Sequence, residues 1–221
     1  MTLKKVKDYT KSIGDNMKEI KRPLYLNKLI SRKENSAIKV ITGIRRCGKS
    51  YLLFTLYYNY LIQSGVDASH IIAIQLDDDR NEALRDRKVL REAIDSRMVD
   101  QQTYFLFLDE VQLCQGFEGV LNGLNRNPHL DLYVTGSNSK FLSSDIITEF
   151  RGRGDEVRVY PLSFSEYLEG SGLPYSQAWN EYFTYGGLPF ILTKKSDEEK
   201  SQYLKTLFEY TYVQDIKGRY H

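Results

Sequence analysis

Short apolar runs punctuate the chain between residues 38 and 160, and stretches with helical spacing separate them. The runs are Ile38–Thr42, Ile71–Leu76, Thr103–Leu108, Leu130–Thr135 and Val157–Tyr160. Most are continuously apolar rather than alternating, the pattern of strands covered by helices on both faces. "TYFLFLD" is the clearest of them and resembles a central strand. Between the runs, Lys49–Gln63 is apolar nearly all round and predicts a helix buried against a sheet. Glu82–Arg97 sets Ala83, Leu84, Leu90 and Ile94 in one stripe among charges, which predicts an exposed amphipathic helix. Phe117–Leu124 and Ser139–Phe150 supply two more helices. Strands alternating with helices argue for a parallel α/β sheet with right-handed crossovers. After Pro161 only helical patterns remain, at Ser163–Glu169, Gln177–Tyr185 and Glu198–Ile216. A small helical lid is therefore expected beyond a boundary near residue 161.

Composition narrows this picture without changing it. A chain of 221 residues, 41% hydrophobic and 27% charged, can bury a full core. No apolar stretch approaches the roughly 18–20 residues of a membrane span. Cys47 and Cys114 lack metal-ligand spacing, and a reducing cytoplasm is the simplest setting for them. His70, His129 and His221 are scattered, which argues against a zinc site. The net charge of +2 is unevenly spread: residues 1–33 carry ten Lys/Arg against three acids. The first 21 residues form a basic extension, read as a solvated, partly helical arm, with a nucleic-acid footprint as the alternative.

Candidate chemistry begins at Gly43-Ile44-Arg45-Arg46-Cys47-Gly48-Lys49-Ser50, which fits the eight-position phosphate-loop pattern. Glycines let the backbone turn its N–H groups onto phosphate, and a helix starting at Lys49 adds its positive N-terminal end. Lys49 would reach the terminal phosphates and the Ser50 hydroxyl would bind Mg²⁺. Gly43, Arg46, Cys47, Gly48, Lys49, Ser50 and Tyr51 are the residues assigned to the nucleotide. The Arg45 and Arg46 side chains either add charge near phosphate or face solvent. Cys47, beside two arginines and a helix start, is in a setting that lowers thiol pKa values, although nothing else supports a redox role.

About sixty residues later "YFLFLDE" ends in Asp109-Glu110, where the C-terminal tip of a buried strand meets the ligand-binding edge of α/β sheets. Asp109 suits Mg²⁺ coordination through water, and Glu110 suits activation of an attacking water. The other reading has two acids opening a solvated loop. GTP-binding switches would want a Gly three residues after the Asp, where Gln112 stands, and a downstream Asn-Lys-x-Asp that is absent. An adenine nucleotide with a dedicated hydrolytic glutamate is favoured. "VTGSNS" puts Ser137 and Asn138 at the next strand tip, to hold the lytic water or to cap a helix. Arg151 and Arg153, in "EFRGRGDE", either face a neighbouring subunit's nucleotide as an arginine finger or pair locally with Glu149 or Asp155.

These motifs together resemble the bacterial and archaeal AAA-like ATPases whose P-loop domain precedes a C-terminal domain of unknown function. "RPLYLNKLI", "ITGIRRCGKS", "FLDEVQ", "TGSNSKFLSS", "FRGR", "PLSFSEYL" and "YGGLP" carry the resemblance, in the family's order, over roughly residues 22–215. It implies an additional-strand P-loop fold, with a five-stranded parallel sheet in order 5-1-4-3-2 between helices and a helical lid behind it. It also implies ATP and Mg²⁺ binding through Gly48, Lys49, Ser50 and Asp109. The expected division is a basic extension over 1–21, an ATPase core over 22–161 and a lid over 162–221. Family members usually continue past the segment resembling "YTYVQDIKGRYH", so a truncated chain or a short natural member is expected, with a protein or DNA partner engaged through the missing part. Tyr25 or Leu26 in "RPLYL" is placed against the adenine or in sheet packing. "YGGLP" is expected to form a tight turn with positive φ at Gly186 or Gly187.

Three functions compete at this point. The first is Mg²⁺-dependent ATP hydrolysis, with a homo-oligomer if an arginine acts in trans. The second is an ATP switch or scaffold that does not hydrolyse, and the third a nucleic-acid-associated protein using the basic arm.

Overall fold

Five parallel strands form one sheet in the order β2-β3-β4-β1-β5. They are β1 (Ile38–Thr42), β2 (Ile71–Gln75), β3 (Tyr104–Asp109), β4 (Leu130–Thr135) and β5 (Gly154–Arg158). This is the expected order 5-1-4-3-2 read from the other edge. The computed structural model describes residues 19–136, 150, 152–209 and 213. Most of the basic extension, the helix expected at Ser139–Phe150 apart from its last residue, and Ser137, Asn138 and Arg151 lie outside those residues.

Every residue of β1, β3 and β4 is buried, which is why their sequences run apolar without alternation. The period-2 geometry still sorts side chains between two cores. Tyr104, Leu106 and Leu108 of β3 face a core shared with α3 (Arg87–Asp95) and α4 (Phe117–Leu124). Phe105 and Phe107 face the opposite core with α1 (Pro23–Ile30) and helix α2, which runs over residues 49–63. Edge strand β5 buries only Val157 fully, and it is displaced toward the N-terminus from the expected Val157–Tyr160. Pairing with all five residues of β1 sets its start at Gly154, where hydrophobicity offers no signal.

Two helices depart from the sequence pattern. α2 begins as Lys49–Tyr51, widens into π-type turns over Leu52–Tyr57 and returns to α at Tyr58–Gln63. Wider turns re-aim successive side chains, and every residue from Leu52 to Tyr58 is buried. The stretch expected as one helix over Glu82–Arg97 splits into a 3-10 segment, Asp79–Arg85, and α3. Asp86 causes the break: its backbone is extended, and its carboxylate caps α3 by accepting from Lys88 N and Val89 N.

Beyond the sheet, α5 (Phe164–Ser171), α6 (Tyr175–Tyr185) and α7 (Asp197–Leu207) pack on their own core with Leu162, Ile191 and Ile20. α5 starts with a capping box, the Ser163 hydroxyl accepting from Glu166 N and the Glu166 carboxylate accepting from Ser163 N. Gly186 ends α6 at φ 75°, the positive φ expected in "YGGLP". Gly187 permits a close approach there, since a Cβ would lie 2.2 Å from Leu162 O.

Candidate nucleotide site at the strand tips

The loop between β1 and α2 is shaped by its glycines. Gly43 has φ 144°, and a Cβ there would meet Val159 O at 2.2 Å, so only glycine lets β1 leave the sheet beside β5. Gly48 has φ 100° and forms the N-cap of α2. Lys49 is buried, its Nζ donating to Gly43 O at 3.0 Å and Ile44 O at 3.1 Å. The ammonium thus sits inside the loop that the first and last glycines delimit. Tyr51 is half-buried on the first turn of α2, and burial pushes its phenol up to about 12.

Cys47 corrects one expectation. Its side chain is fully buried, Sγ donating to Val159 O at 3.4 Å. Burial pushes the thiol above its ordinary value, and the nearby charges of Lys49 and Arg22 offset this only in part. The setting that lowers a thiol pKa requires solvent access, and tertiary packing removes it. Arg46 is exposed at φ 64°, a backbone that favours glycine, and its guanidinium lies over the rings of Phe190 (5.9 Å) and Tyr203 (5.8 Å).

The acidic side of the site lies at the tips of β3 and β4. Asp109 is buried, and its Oδ1 accepts a hydrogen bond from Thr135 Oγ1; the Ser50 hydroxyl also donates to the carboxylate. Burial, with the charges of Glu110 and Asp77 as smaller contributors, pushes its pKa up to about 6 against the pull of the two hydroxyls. Asp77, just past β2, is raised in turn by burial and by Glu110. Glu110 has φ 51° and ψ 49°, a left-handed backbone for a non-glycine residue. Its N–H donates to Thr135 Oγ1 at 3.2 Å, and its Oε2 accepts from Gln112 Nε2.

The structure therefore brings Lys49, Ser50, Asp109 and Glu110 to one end of the sheet. Arg153 lies at the other end, leading into β5 opposite the start of β1, where Ile38 N donates to its carbonyl at 2.8 Å. Five strand residues, about 16 Å, separate it from the phosphate-loop end of its own chain. Tyr25 packs under α2, its OH accepting from Tyr160 N at 3.3 Å, and one edge of it lines a groove of about 690 Å³ with Leu24, Tyr160, Pro161 and Glu166. Leu26 packs into the α2 core and does not line the groove.

Sequence reasoning missed Arg22, Thr135 and Gln112, although the motifs quoted contain all three. Arg22 is buried, at φ 45°, and ties three segments together. Its Nη1 donates to Cys47 O at 2.8 Å, Nη2 to Tyr160 O at 2.8 Å, and Nε to Glu166 Oε1 at 3.1 Å. The one available signal was Pro23: a proline suits the first turn of a helix and places the preceding residue at a helix cap.

Among the described residues, no helix is long and apolar enough to cross a membrane. Residues 35–168 match the AAA domain family. A Haemophilus influenzae protein described as uncharacterized is 33% identical over 207 residues, covering 90% of this chain and 51% of that one. An uncharacterized Methanocaldococcus jannaschii protein is 29% identical over 223 residues, covering 94% of this chain and 48% of its own length. The chain thus spans about half the length of the curated relatives it matches. The Walker-type ATPase of Pyrococcus abyssi shares the fold at a TM-score of 0.58 and 17% identity, over 90% of this chain and 71% of that one. With the strand order and the phosphate loop in place, the chain belongs to the AAA domain family of P-loop ATPases.

Proposed function

We propose that this chain binds ATP with Mg²⁺ and hydrolyses it at the tips of β1, β3 and β4. The observation that carries the reading is the cluster in which the Ser50 hydroxyl meets the Asp109 carboxylate, with Glu110 beside it and Lys49 in the adjoining loop. The donor set fits the ion: a buried carboxylate and a hydroxyl are hard oxygen ligands, and no Lys or Arg forms a salt bridge with Asp109 among the described residues. One carboxylate is few for an all-protein cage, but it suits Mg²⁺, which keeps waters and phosphate oxygens as its other ligands. When bound, the ion would neutralise charge developing on the β- and γ-phosphate oxygens.

The remaining work falls to the protein. Backbone N–H groups from Gly43 to Tyr51 cradle the phosphates, and Lys49 turns its ammonium to the terminal ones. Glu110 takes the proton from the attacking water. Ser137 and Asn138 complete the position of that water, and Arg151 or Arg153 of one subunit serves a neighbour's nucleotide. The distance of Arg153 from its own phosphate loop supports action in trans. Tyr25 is the adenine contact in this reading, at the edge of its groove. The core over 22–161 passes nucleotide state to the lid over 162–221: the lid's own hydrophobic core supports the division, and Arg22 linking Cys47 O to Glu166, with Arg46 over Phe190 and Tyr203, supports the coupling. The partner that receives this motion is assigned to the half present in longer relatives.

Phosphate release from wild type and Glu110→Gln, measured across protein concentration beside ATP titrations, tests the reading. The variant should keep ATP affinity and lose turnover by roughly 100-fold or more, the general-base share of the rate. Unchanged phosphate release would overturn it. A wild-type rate per molecule that rises with concentration would support the arginine acting between subunits.

A further inference from the structure

Thr135 closes β4 and is fully buried between the two acids of the neighbouring strand tip. The register that pairs Leu108 with Val134 carries Asp109 and Glu110 alongside it. A hydroxyl has one proton to donate and two lone pairs to accept with. Thr135 Oγ1 donates its proton to Asp109 Oδ1 and accepts the Glu110 N–H at 3.2 Å. Both contacts converge on one atom of a β-branched side chain, whose χ1 is stiff. The glutamate they hold has φ 51° and ψ 49°, a conformation disfavoured for L-residues that persists when the surroundings over-determine it. The far end of the same side chain is held separately, by Gln112 Nε2 on Glu110 Oε2.

We propose that Thr135 is a positioning residue for hydrolysis: its hydroxyl holds the left-handed turn at Glu110, and so the direction of the Glu110 carboxylate, while tying that turn to Asp109. This rests on the hydrolysis reading above. Strand pairing continues no further along Glu110, so the hydroxyl replaces the sheet as the partner of its N–H. Loss of the hydroxyl frees the backbone to relax toward ordinary φ, and the carboxylate moves with it. A valine keeps the shape and burial of the side chain and removes only the two hydrogen bonds.

The test compares Thr135→Val and Thr135→Ser with wild type and Glu110→Gln in phosphate-release kinetics, together with Kd for a non-hydrolysable ATP analogue with Mg²⁺ and thermal unfolding. Thr135→Val should lower kcat roughly 10–100-fold, as loss of a residue that orients a reacting group does, with KM and analogue Kd within about threefold of wild type. Thr135→Ser should restore kcat to within about threefold of wild type, since it returns the hydroxyl. In the Glu110→Gln background, adding Thr135→Val should lower the residual rate far less than it lowers wild-type turnover, because most of its effect on the rate passes through the glutamate. Wild-type kcat in Thr135→Val overturns the proposal, as does an equal loss of turnover in the Glu110→Gln background. Glu110→Gln at full turnover sinks the hydrolysis reading itself, whereas an inactive Glu110→Gln beside a fully active Thr135→Val sinks only the role of Thr135. Should Thr135→Val unfold, Thr135→Ala is judged by the same split between kcat and Kd.

Discussion

Two aspartates are buried at opposite ends of the sheet, and the fold treats them in opposite ways. Asp131, near the start of β4, accepts from Lys39 Nζ, from Tyr133 OH at 2.8 Å and from Glu34 N at 2.9 Å. Lys39 is itself fully buried, its Nζ 4.7 Å from the Tyr133 ring centre, and Tyr57 OH sits 2.5 Å from Tyr133 OH. Burial lowers the Lys39 pKa, and Asp131 opposes that shift, so charge and countercharge are matched inside the protein. Asp109, at the end of β3, has two hydroxyls and acidic neighbours, and burial raises its pKa to about 6. A buried charge is stabilised either by a partner built into the chain or by one that arrives from outside. The first end carries its countercharge within the fold; at the second, no Lys or Arg forms a salt bridge with the aspartate among the described residues.

Removing the internal anion should therefore cost most. Asp131→Asn removes the main countercharge of buried Lys39 and leaves it only the weaker influence of Asp155 and Glu34, so urea denaturation at pH 7 should show a loss of about 3–5 kcal/mol. A loss below about 1 kcal/mol would erase the contrast.

Removing the anion at the other end should stabilise the nucleotide-free protein. The folded pKa of Asp109 lies near 6, above the ordinary 3.8, so the folded state holds the proton more tightly than the unfolded state. Its stabilising contribution is complete below about pH 4 and is lost as pH rises through 6. Asp109→Asn should therefore gain up to about 3 kcal/mol over wild type at pH 8, from roughly two pKa units, and nothing at pH 4. Denaturation curves at the two pH values, without nucleotide, read this directly, and equal gains at both would break the argument.

The smallest effect belongs to the outer member of the structural network. Tyr133 OH gives its proton to Asp131, so Tyr57 OH is the donor in the tyrosine pair. Tyr57→Phe should cost about 1 kcal/mol, one hydrogen bond of a neutral pair, as a shift in the denaturation midpoint at constant slope.

The phosphate loop, the acidic strand tip and the alternation of strands with helices were legible because each depends on residues close in sequence. Gly43 to Ser50 form one turn, and Asp109-Glu110 end one apolar run. The contrast between the two aspartates was not legible. "IKVIT" and "LDLYVT" each carry one charge in an apolar run, and nothing local says that β1 and β4 will lie side by side with Lys39 opposite Tyr133. Cys47 failed for a related reason: its sequence neighbours are cationic, but Val159, just past β5, covers it. The helix expected across Glu82–Arg97 failed locally, because Asp86 competes for the backbone N–H groups that a continuous helix would use.

By itself the sequence determined the order of the elements, the phosphate-binding turn and the presence of two acids at a strand tip. Those features follow from periodicity, glycine conformation and residues adjacent in the chain. Only the tertiary structure decided that Thr135 holds both acids, that Arg22 joins the phosphate loop to α5, and that one buried aspartate is neutralised while the other is not. Each of those depends on residues brought together from distant parts of the chain, through strand pairing or the bonds of buried Arg22. Their energies come from burial, which no single segment possesses until the others cover it.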